Sequence, residues 1–346
     1  MESTYLDTVS KENILFDEPL SRHTSLRIGG PCKAYITVTS LDELTKLVKA
    51  LKKDGQSFII LGNGSNVLAP DEGIESVVIR LGGDFDMVRV TGYCQLEAGC
   101  GILLSKIAKM AMEQGFAGCE FASGIPGTLG GALTMNAGAY GGEMAMITDS
   151  VVLMALESMR FSSPVMRFML SDDGQMTGEF VEEIACGDII SLEGSRMEFG
   201  YRHSIMKEHR FVALYATLSF SEGNVEDIKA RINELSVARR EKQPLEFPSA
   251  GSTFKRPEGY FAAKLIEDAG LKGYRVGDAQ VSEKHAGFCI NLGNATSADF
   301  TKLMKDVSGK VKEVSGVSLE PEVIILDNED RQDKAVKLLT KSFGKN

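Results

Sequence analysis

The sequence of 346 residues predicts an α+β fold of two or three domains. Three observations lead there. An uncharged stretch at 121–142, FASGIPGTLGGALTMNAGAYGG, holds seven glycines in 22 residues. A second glycine-bearing loop, Gly62-Asn63-Gly64-Ser65-Asn66, follows an apolar strand pattern at 58–61, about 60 residues earlier. Strand patterns then dominate from 150 to 220, with helical patterns gathered on either side.

Glycine is costly to order and offers no packing surface, so its density at 121–142 fits a backbone that turns sharply or lies against a ligand. Ile125-Pro126-Gly127-Thr128 has the residue order of a type II turn, with Pro setting φ at the second position and Gly supplying positive φ at the third. A short helix over 128–135 would aim bare N–H groups at a phosphate. A glycine-packed crossing of the core is the other reading of the same residues. In the first loop Gly and Asn tolerate positive φ, while Ser and Asn offer hydrogen bonds to an anion or ribose. A Rossmann site is excluded, because no G-x-G-x-x-G follows the strand and no helix opens at Ser65. Two separated loops suit a long dinucleotide clamped between parts of an α+β domain.

Hydrophobic residues at 43% and charged residues at 25% mark an ordinary globular chain. A net charge of −10 argues against a nucleic-acid surface or an anionic membrane as partner, yet leaves room for a local basic pocket. Cys32, Cys94, Cys100, Cys119, Cys186 and Cys289 show no C-x-x-C pairing and read as buried thiols of a reducing compartment, so no metal is expected. The opening MESTYLDTVSKENILF has no apolar run of the secretory type, and 121–142 carries too much Gly, Ser, Asn and Pro to span a bilayer. The reading is a cytoplasmic protein.

Taken in order, a helix is expected over 40–54, with Ser40 and Glu43 as a capping box, Leu41, Leu44, Leu47, Val48 and Leu51 as its stripe and Gly55 as its stop. Strands follow at 77–79, 87–91 and 94–98, then a helix at 103–114 ended by Gly115. Further strands are read at 151–156, 164–170, 178–181, 188–191 and 211–220, with Asp172-Asp173-Gly174 as a hairpin turn. Helix returns over 225–242, capped by Asn224, apolar at Ile228, Ile232 and Leu235, and ended by Pro244. A helix at 261–269, a strand at 288–291, a helix at 297–314 capped by Thr296, a strand at 323–326 and a helix at 335–342 complete the chain.

Three places set reactive side chains where a core would not favour them. Gly251-Ser252-Thr253-Phe254-Lys255-Arg256-Pro257 is a polar loop with two cations; without a His–Asp partner its serine suits proton donation rather than hydrolysis. Gly200-Tyr201-Arg202-His203-Ser204 places a guanidinium that can take a carboxylate in bidentate fashion. Leu319-Glu320-Pro321-Glu322-Val323 holds Glu322 at a rigid strand entry. The bland accounts are a plain loop, a surface arginine and an edge-strand charge.

Together these segments resemble the UDP-N-acetylenolpyruvoylglucosamine reductases, flavoenzymes that complete UDP-N-acetylmuramate for peptidoglycan. The resemblance spans nearly the whole chain, through TSLRIGGP at 24–31, LGNGSNVL at 61–68, SGIPGTLGGALTMNAGAYGG at 123–142 and GYRHS at 200–204. It continues through AGSTFKRP at 250–257, AGLKGYRVGDAQVSEKHAGFCIN at 269–291 and LEPEV at 319–323. It implies an α+β fold with a two-part FAD-binding region of the PCMH/vanillyl-alcohol-oxidase type, formed by 1–82 with 318–346 returning to it and by 83–220. A substrate-binding α+β domain at 221–317 would complete it.

It also implies non-covalent FAD held by Gly62, Asn63, Gly64, Ser65 and Asn66 and by Ser123, Gly124, Ile125, Pro126, Gly127, Gly130, Gly131, Asn136, Gly138 and Ala139. The first loop has no His to tether a flavin, which agrees. In the family NADPH reduces the flavin and leaves, and the enolpyruvyl sugar nucleotide then enters the same space. The flavin N5 gives a hydride to the vinyl CH2 carbon, and the carbon bearing the ether oxygen and carboxylate is protonated. By motif match Ser252 is the proton donor, while Arg202 and Glu322 stabilise the intermediate. Glu322 is expected to be protonated or paired with Arg202, since a free carboxylate would repel that species. Tyr201, Lys242, Lys255 and Arg256 match substrate-binding positions.

The partners implied are a UDP-sugar and NADPH, with no nucleic acid and no membrane insertion, acting on a monomer. The 157–194 segment is longer than usual and reads as an inserted hairpin without a role. The short span between Tyr215 and Lys242 matches the subtype lacking an extra tyrosine-bearing loop. Another oxidase on the flavin scaffold is disfavoured by GSTFKRP and LEPEV, and a non-catalytic sensor by the presence of a proton donor.

Overall fold

The computed structural model describes residues 4–170 and 176–327. Its first sheet has the spatial order Ile14–Pro19, Pro31–Val38, Ile74–Leu81, Phe58–Ile60. The outermost pairing is antiparallel and the other two are parallel. The apolar run inside Ile74–Leu81 is buried on both faces: Val77 and Ile79 enter one core and Val78 another, as the period of two requires. Helix Leu41–Lys53 covers this sheet with Leu44, Leu47, Val48 and Leu51, and Gly55 ends it at φ +63°. Its capping box is only half formed. Ser40 Oγ accepts from Glu43 N at 3.3 Å, but the Glu43 carboxylate turns to Thr39 N and Thr39 Oγ1, at 2.7 and 2.8 Å.

A seven-stranded sheet follows, in the order Met176–Ile184, Met159–Leu170, Ile189–Glu193, Thr148–Ala155, Phe211–Ser219, Gln95–Gly99, Val88–Gly92. Every pairing in it is antiparallel. The 157–194 segment therefore widens this sheet at one edge. The turn expected at Asp172-Asp173-Gly174 and the helix expected at 335–342 lie outside the described residues. Helix Leu104–Glu113 buries Leu104, Ile107, Ala108 and Ala111. Helix Val225–Lys242 packs against it, capped by Asn224 Oδ1, which accepts from Glu226 N at 2.9 Å and Asp227 N at 3.2 Å.

The third region centres on helix Ser297–Ser315, whose Thr296–Asp299 capping box is complete and whose C-cap is Gly316 at φ +74°. Phe300, Leu303, Met304, Val307 and Val311 are fully buried with Leu26, Ile28 and Leu68, so this core takes side chains from the first 70 residues. It also packs helix Ala262–Asp268 and a small sheet of Arg275–Val276, Ala279–Val281 and Cys289–Asn291. Ile324–Ile325 then pairs in parallel with Val67–Leu68. Among the described residues no helix is long and apolar enough to cross a membrane. Phe300→Ala should destabilise the protein by about 3–5 kcal/mol, the range for emptying a buried aromatic site, as read from urea unfolding.

Candidate active site

The two glycine-bearing loops close on each other. Asn63 Nδ2 donates to the Pro126 carbonyl oxygen over 2.6 Å. A Cβ at Gly62 would stand 2.4 Å from Thr128 Oγ1, and one at Gly64, where φ is +57°, 2.1 Å from the His23 carbonyl oxygen. Only glycine lets the first loop pass between the second loop and the 23–24 backbone. The second loop departs from expectation. Gly127 does not take positive φ, so 125–128 is not a type II turn. Its carbonyl accepts from Leu104 N at 3.0 Å, and Leu129 N donates to Ile102 O at 2.9 Å, so the neighbouring chain shapes the bend. The helix beyond it, Leu129–Thr134, has six residues and only a weak terminal dipole.

Between the loops lies a cavity of about 760 Å³. Gly62, Asn63, Gly64, Ser65, Asn66, Ile125, Pro126, Gly127, Gly130, Gly131, Gly138 and Ala139 line it, with Arg202, Ser252 and Glu322. A Cβ at Gly131 would meet only Thr128 Oγ1, at 3.6 Å, and one at Gly127 nothing closer than Ser65 Oγ, at 3.6 Å. Glycine at 127 and 131 thus keeps space open for a ligand, whereas at 62 and 64 it permits chain contact. The long, glycine-floored hollow fits a flavin dinucleotide in size and in its exposed backbone.

Three predicted cofactor residues stand back from the hollow. Ser123 Oγ donates to the Glu120 carbonyl at 2.8 Å, and Gly124 makes room for Arg239 Nη1, 2.3 Å from where its Cβ would be. Buried Asn136 accepts from Ala145 N at 2.9 Å and donates to the Gly200 carbonyl at 3.1 Å, tying the second loop to the GYRHS turn.

That turn is closed by reciprocal backbone bonds between Gly200 and His203, each 3.1 Å. Arg202 occupies its third position at φ +56°, a conformation normally left to Gly or Asn. Its Nε donates to Glu322 Oε1 at 2.5 Å, and its guanidinium lies 5.1 Å from the centre of the Tyr201 ring. Glu322 is placed by the backbone: Glu322 N donates to Thr253 O and Lys255 N to Glu320 O, both at 2.8 Å. The strand-like pairing sets Ser252 and Glu322 on adjoining chains. Asn66 Nδ2 reaches the Glu322 carbonyl at 3.1 Å, joining the first glycine loop to the pair. Burial pushes the Glu322 carboxyl above its ordinary range, against the pull of Arg202, Lys255 and Lys207.

Tyr201, Lys242, Lys255 and Arg256 lie outside the cavity lining. Tyr201 Oη accepts from Arg256 N at 2.9 Å, Lys255 Nζ meets Glu320 Oε2 at 3.2 Å, Arg256 lies 4.0 Å over the Phe261 ring, and Lys242 is exposed. The sequence reading did not select Arg80, Lys207 or Arg239, which line the hollow. Arg239 sits one helical turn before Gln243, whose Oε1 accepts from its Nε at 2.8 Å, and burial lowers its guanidinium from the usual range. Lys207 follows GYRHS by three residues, and that adjacency was the available signal. All six cysteines are free thiols; burial pushes Cys32 up to about 11 and Cys119 and Cys289 to about 12.

Comparison with known proteins defines the class first. A family model described as an FAD binding domain matches residues 32–156, which contain both glycine loops, and the chain is an FAD-dependent oxidoreductase. A second, described as the C-terminal domain of UDP-N-acetylenolpyruvoylglucosamine reductase, matches 243–326, which hold Ser252 and Glu322. The reductase of that name from Clostridioides difficile (strain 630) is 44% identical over 93% of this chain and 96% of its own length. That of Caldanaerobacter subterraneus subsp. tengcongensis is likewise 44% identical, over 93% and 96%. The crystal structure of UDP-N-acetylenolpyruvylglucosamine reductase from Thermus caldophilus aligns with a TM-score of 0.69 at 32% identity, covering 91% of this chain and 98% of that one. The chain belongs to the UDP-N-acetylenolpyruvoylglucosamine reductase family.

Two outcomes follow from the geometry. Gly131→Ala adds a methyl to a helix yet projects it into the hollow. It should raise the stability of the flavin-free protein by about 0.5–1 kcal/mol while weakening FAD binding, as read from thermal melts and flavin titration. Glu322 holds its proton more tightly folded than unfolded, so its contribution to stability is present below its ordinary value of 4.5 and is lost as pH rises through the raised folded value. Melts of Glu322→Gln and the parent should therefore diverge in favour of Gln as pH climbs above about 4.5.

Proposed function

We propose that this reductase uses NADPH as hydride donor and converts the enolpyruvyl ether of UDP-N-acetylglucosamine enolpyruvate to UDP-N-acetylmuramate, with the proton supplied by Ser252. The observation that supports this most is the meeting of Arg202, Glu322 and the Ser252 loop at a glycine-cradled hollow, drawn from segments about 50 and 70 residues apart. Bound FAD supplies hydride transfer at N5, with the two glycine loops as its seat. Addition of hydride to the vinyl CH2 leaves negative charge on the neighbouring carbon and its carboxylate. Arg202 stabilises that charge, already oriented by its bond to Glu322 and its stacking on Tyr201. Glu322, its proton affinity raised by burial, holds the guanidinium and offers little repulsion. Ser252 delivers its hydroxyl proton to the carbon, completing the saturated ether.

Lys242, Lys255 and Arg256, which lie outside the cavity lining, suit the substrate diphosphate by their charge. Six free thiols accord with a cytoplasmic setting. Ser252→Ala should retain NADPH-dependent bleaching of the flavin but lose about 10²- to 10⁴-fold in reoxidation by the enolpyruvyl substrate, measured by stopped-flow absorbance. Near-normal turnover in that variant would remove Ser252 from the mechanism.

A further inference from the structure

Lys207, on the short helix Ile205–Glu208, lines the same hollow as Arg202, Ser252 and Glu322. It is half-buried, and its Nζ donates to the Arg202 carbonyl oxygen over 3.3 Å. Two nearby carboxylates are engaged by other cations. Glu322 Oε1 takes Arg202 Nε at 2.5 Å, and Glu320 Oε2 takes Lys255 Nζ at 3.2 Å. Arg80, Arg202, Lys207, Arg210 and Arg239 line the hollow with the carboxylates Glu208, Glu322 and Asp327, so cations outnumber carboxylates in this lining although the chain's net charge is −10. A half-buried ammonium that donates to a carbonyl oxygen is stabilised by an anion that enters beside it. Burial and the charge of Lys255 lower the Lys207 ammonium from the ordinary lysine range, while Glu322 acts in the opposite sense. Arg202, with Nε committed to Glu322 and its face on the Tyr201 ring, has only its terminal nitrogens left for a substrate.

We propose that Lys207 receives the carboxylate of the incoming enolpyruvyl substrate and holds it while charge develops on the adjacent carbon. This rests on the reductase reading above. The placement follows from the chain: the GYRHS turn fixes Arg202, the helix that starts after Ser204 carries Lys207, Lys207 Nζ bonds the Arg202 carbonyl, and both residues line one hollow.

The test separates the two half-reactions in the FAD-loaded enzyme, with Lys207→Met and Lys207→Arg beside the parent. In Lys207→Met the loss should fall mainly on the second half-reaction, with FAD binding and reduction by NADPH less affected. Its kcat/KM for the enolpyruvyl substrate should fall about 10- to 100-fold, as expected for a lost charged hydrogen bond, with KM raised. Lys207→Arg, which keeps the charge, should recover most of that loss. An unchanged kcat/KM in Lys207→Met overturns the proposal. So does a shift in flavin potential or in NADPH reduction with KM for the enolpyruvyl substrate unaltered, because the charge would then serve the flavin. A parent enzyme that NADPH reduces but the enolpyruvyl substrate does not reoxidise overturns the reductase reading, and the proposal with it.

Discussion

The closure of two glycine loops against each other is the constraint on which the rest of the molecule depends. One amide–carbonyl bond, Asn63 to Pro126, and one side-chain-free approach, Gly62 to Thr128, bring together chains from different sheets. The first loop could not do this with a Cβ at Gly62, and no hollow would remain if both loops packed fully. The division is made residue by residue: glycines at 62 and 64 permit approach, and those at 127 and 131 leave room. The hollow is thus a property of the meeting of the two loops rather than of either one.

The polar end of the hollow is assembled by backbone pairing more than by side chains. The chain at 253–255 runs beside 320–322, fixing the Ser252 loop relative to Glu322 before any side chain is considered. Arg202 comes to the same point from a turn that holds it at positive φ, a strain borne by the reciprocal Gly200–His203 bonds and by the ion pair itself. Burial of either partner alone would be costly, and Arg202 offsets only part of the penalty on Glu322, whose carboxyl stays above its ordinary range. Asn66 and Asn136 carry the link back to the two glycine loops, so hydrogen bonds join the cradle to the polar end.

The third region is bound to the first by its core as well as by its last strand. Leu26, Ile28 and Leu68 are buried among Phe300, Leu303 and Val307, and Asn291 Nδ2 donates to the Leu26 carbonyl at 3.0 Å. The segment at 24–30 therefore serves as a staple, which accounts for its density of special residues: Arg27 at φ +56°, Gly29 at φ +135°, and Gly30 with a Cβ position only 2.2 Å from the Asp71 carbonyl oxygen. The widened edge of the large sheet at 159–184 lies away from these contacts, and its Phe180 is 71% exposed.

Long periodic elements were legible from the residues alone. The helices at 41–53, 225–242 and 297–315 carry their own caps, stripes and stops, so local chemistry determines them wherever they dock. Short strands such as Arg275–Val276 and Ala279–Val281 were not legible, because two or three residues hold no period and exist only through their neighbours. The same divide runs through the site. Motif order, through the resemblance to a known family, singled out Ser252, Arg202, Glu322 and both glycine loops, and these residues line one hollow. Which glycines touch chain and which face a ligand, why 125–128 bends without a type II turn, and how Lys207 and Arg239 enter the hollow were settled only by tertiary structure. Those features arise from contacts between segments up to hundreds of residues apart, and no local pattern encodes them.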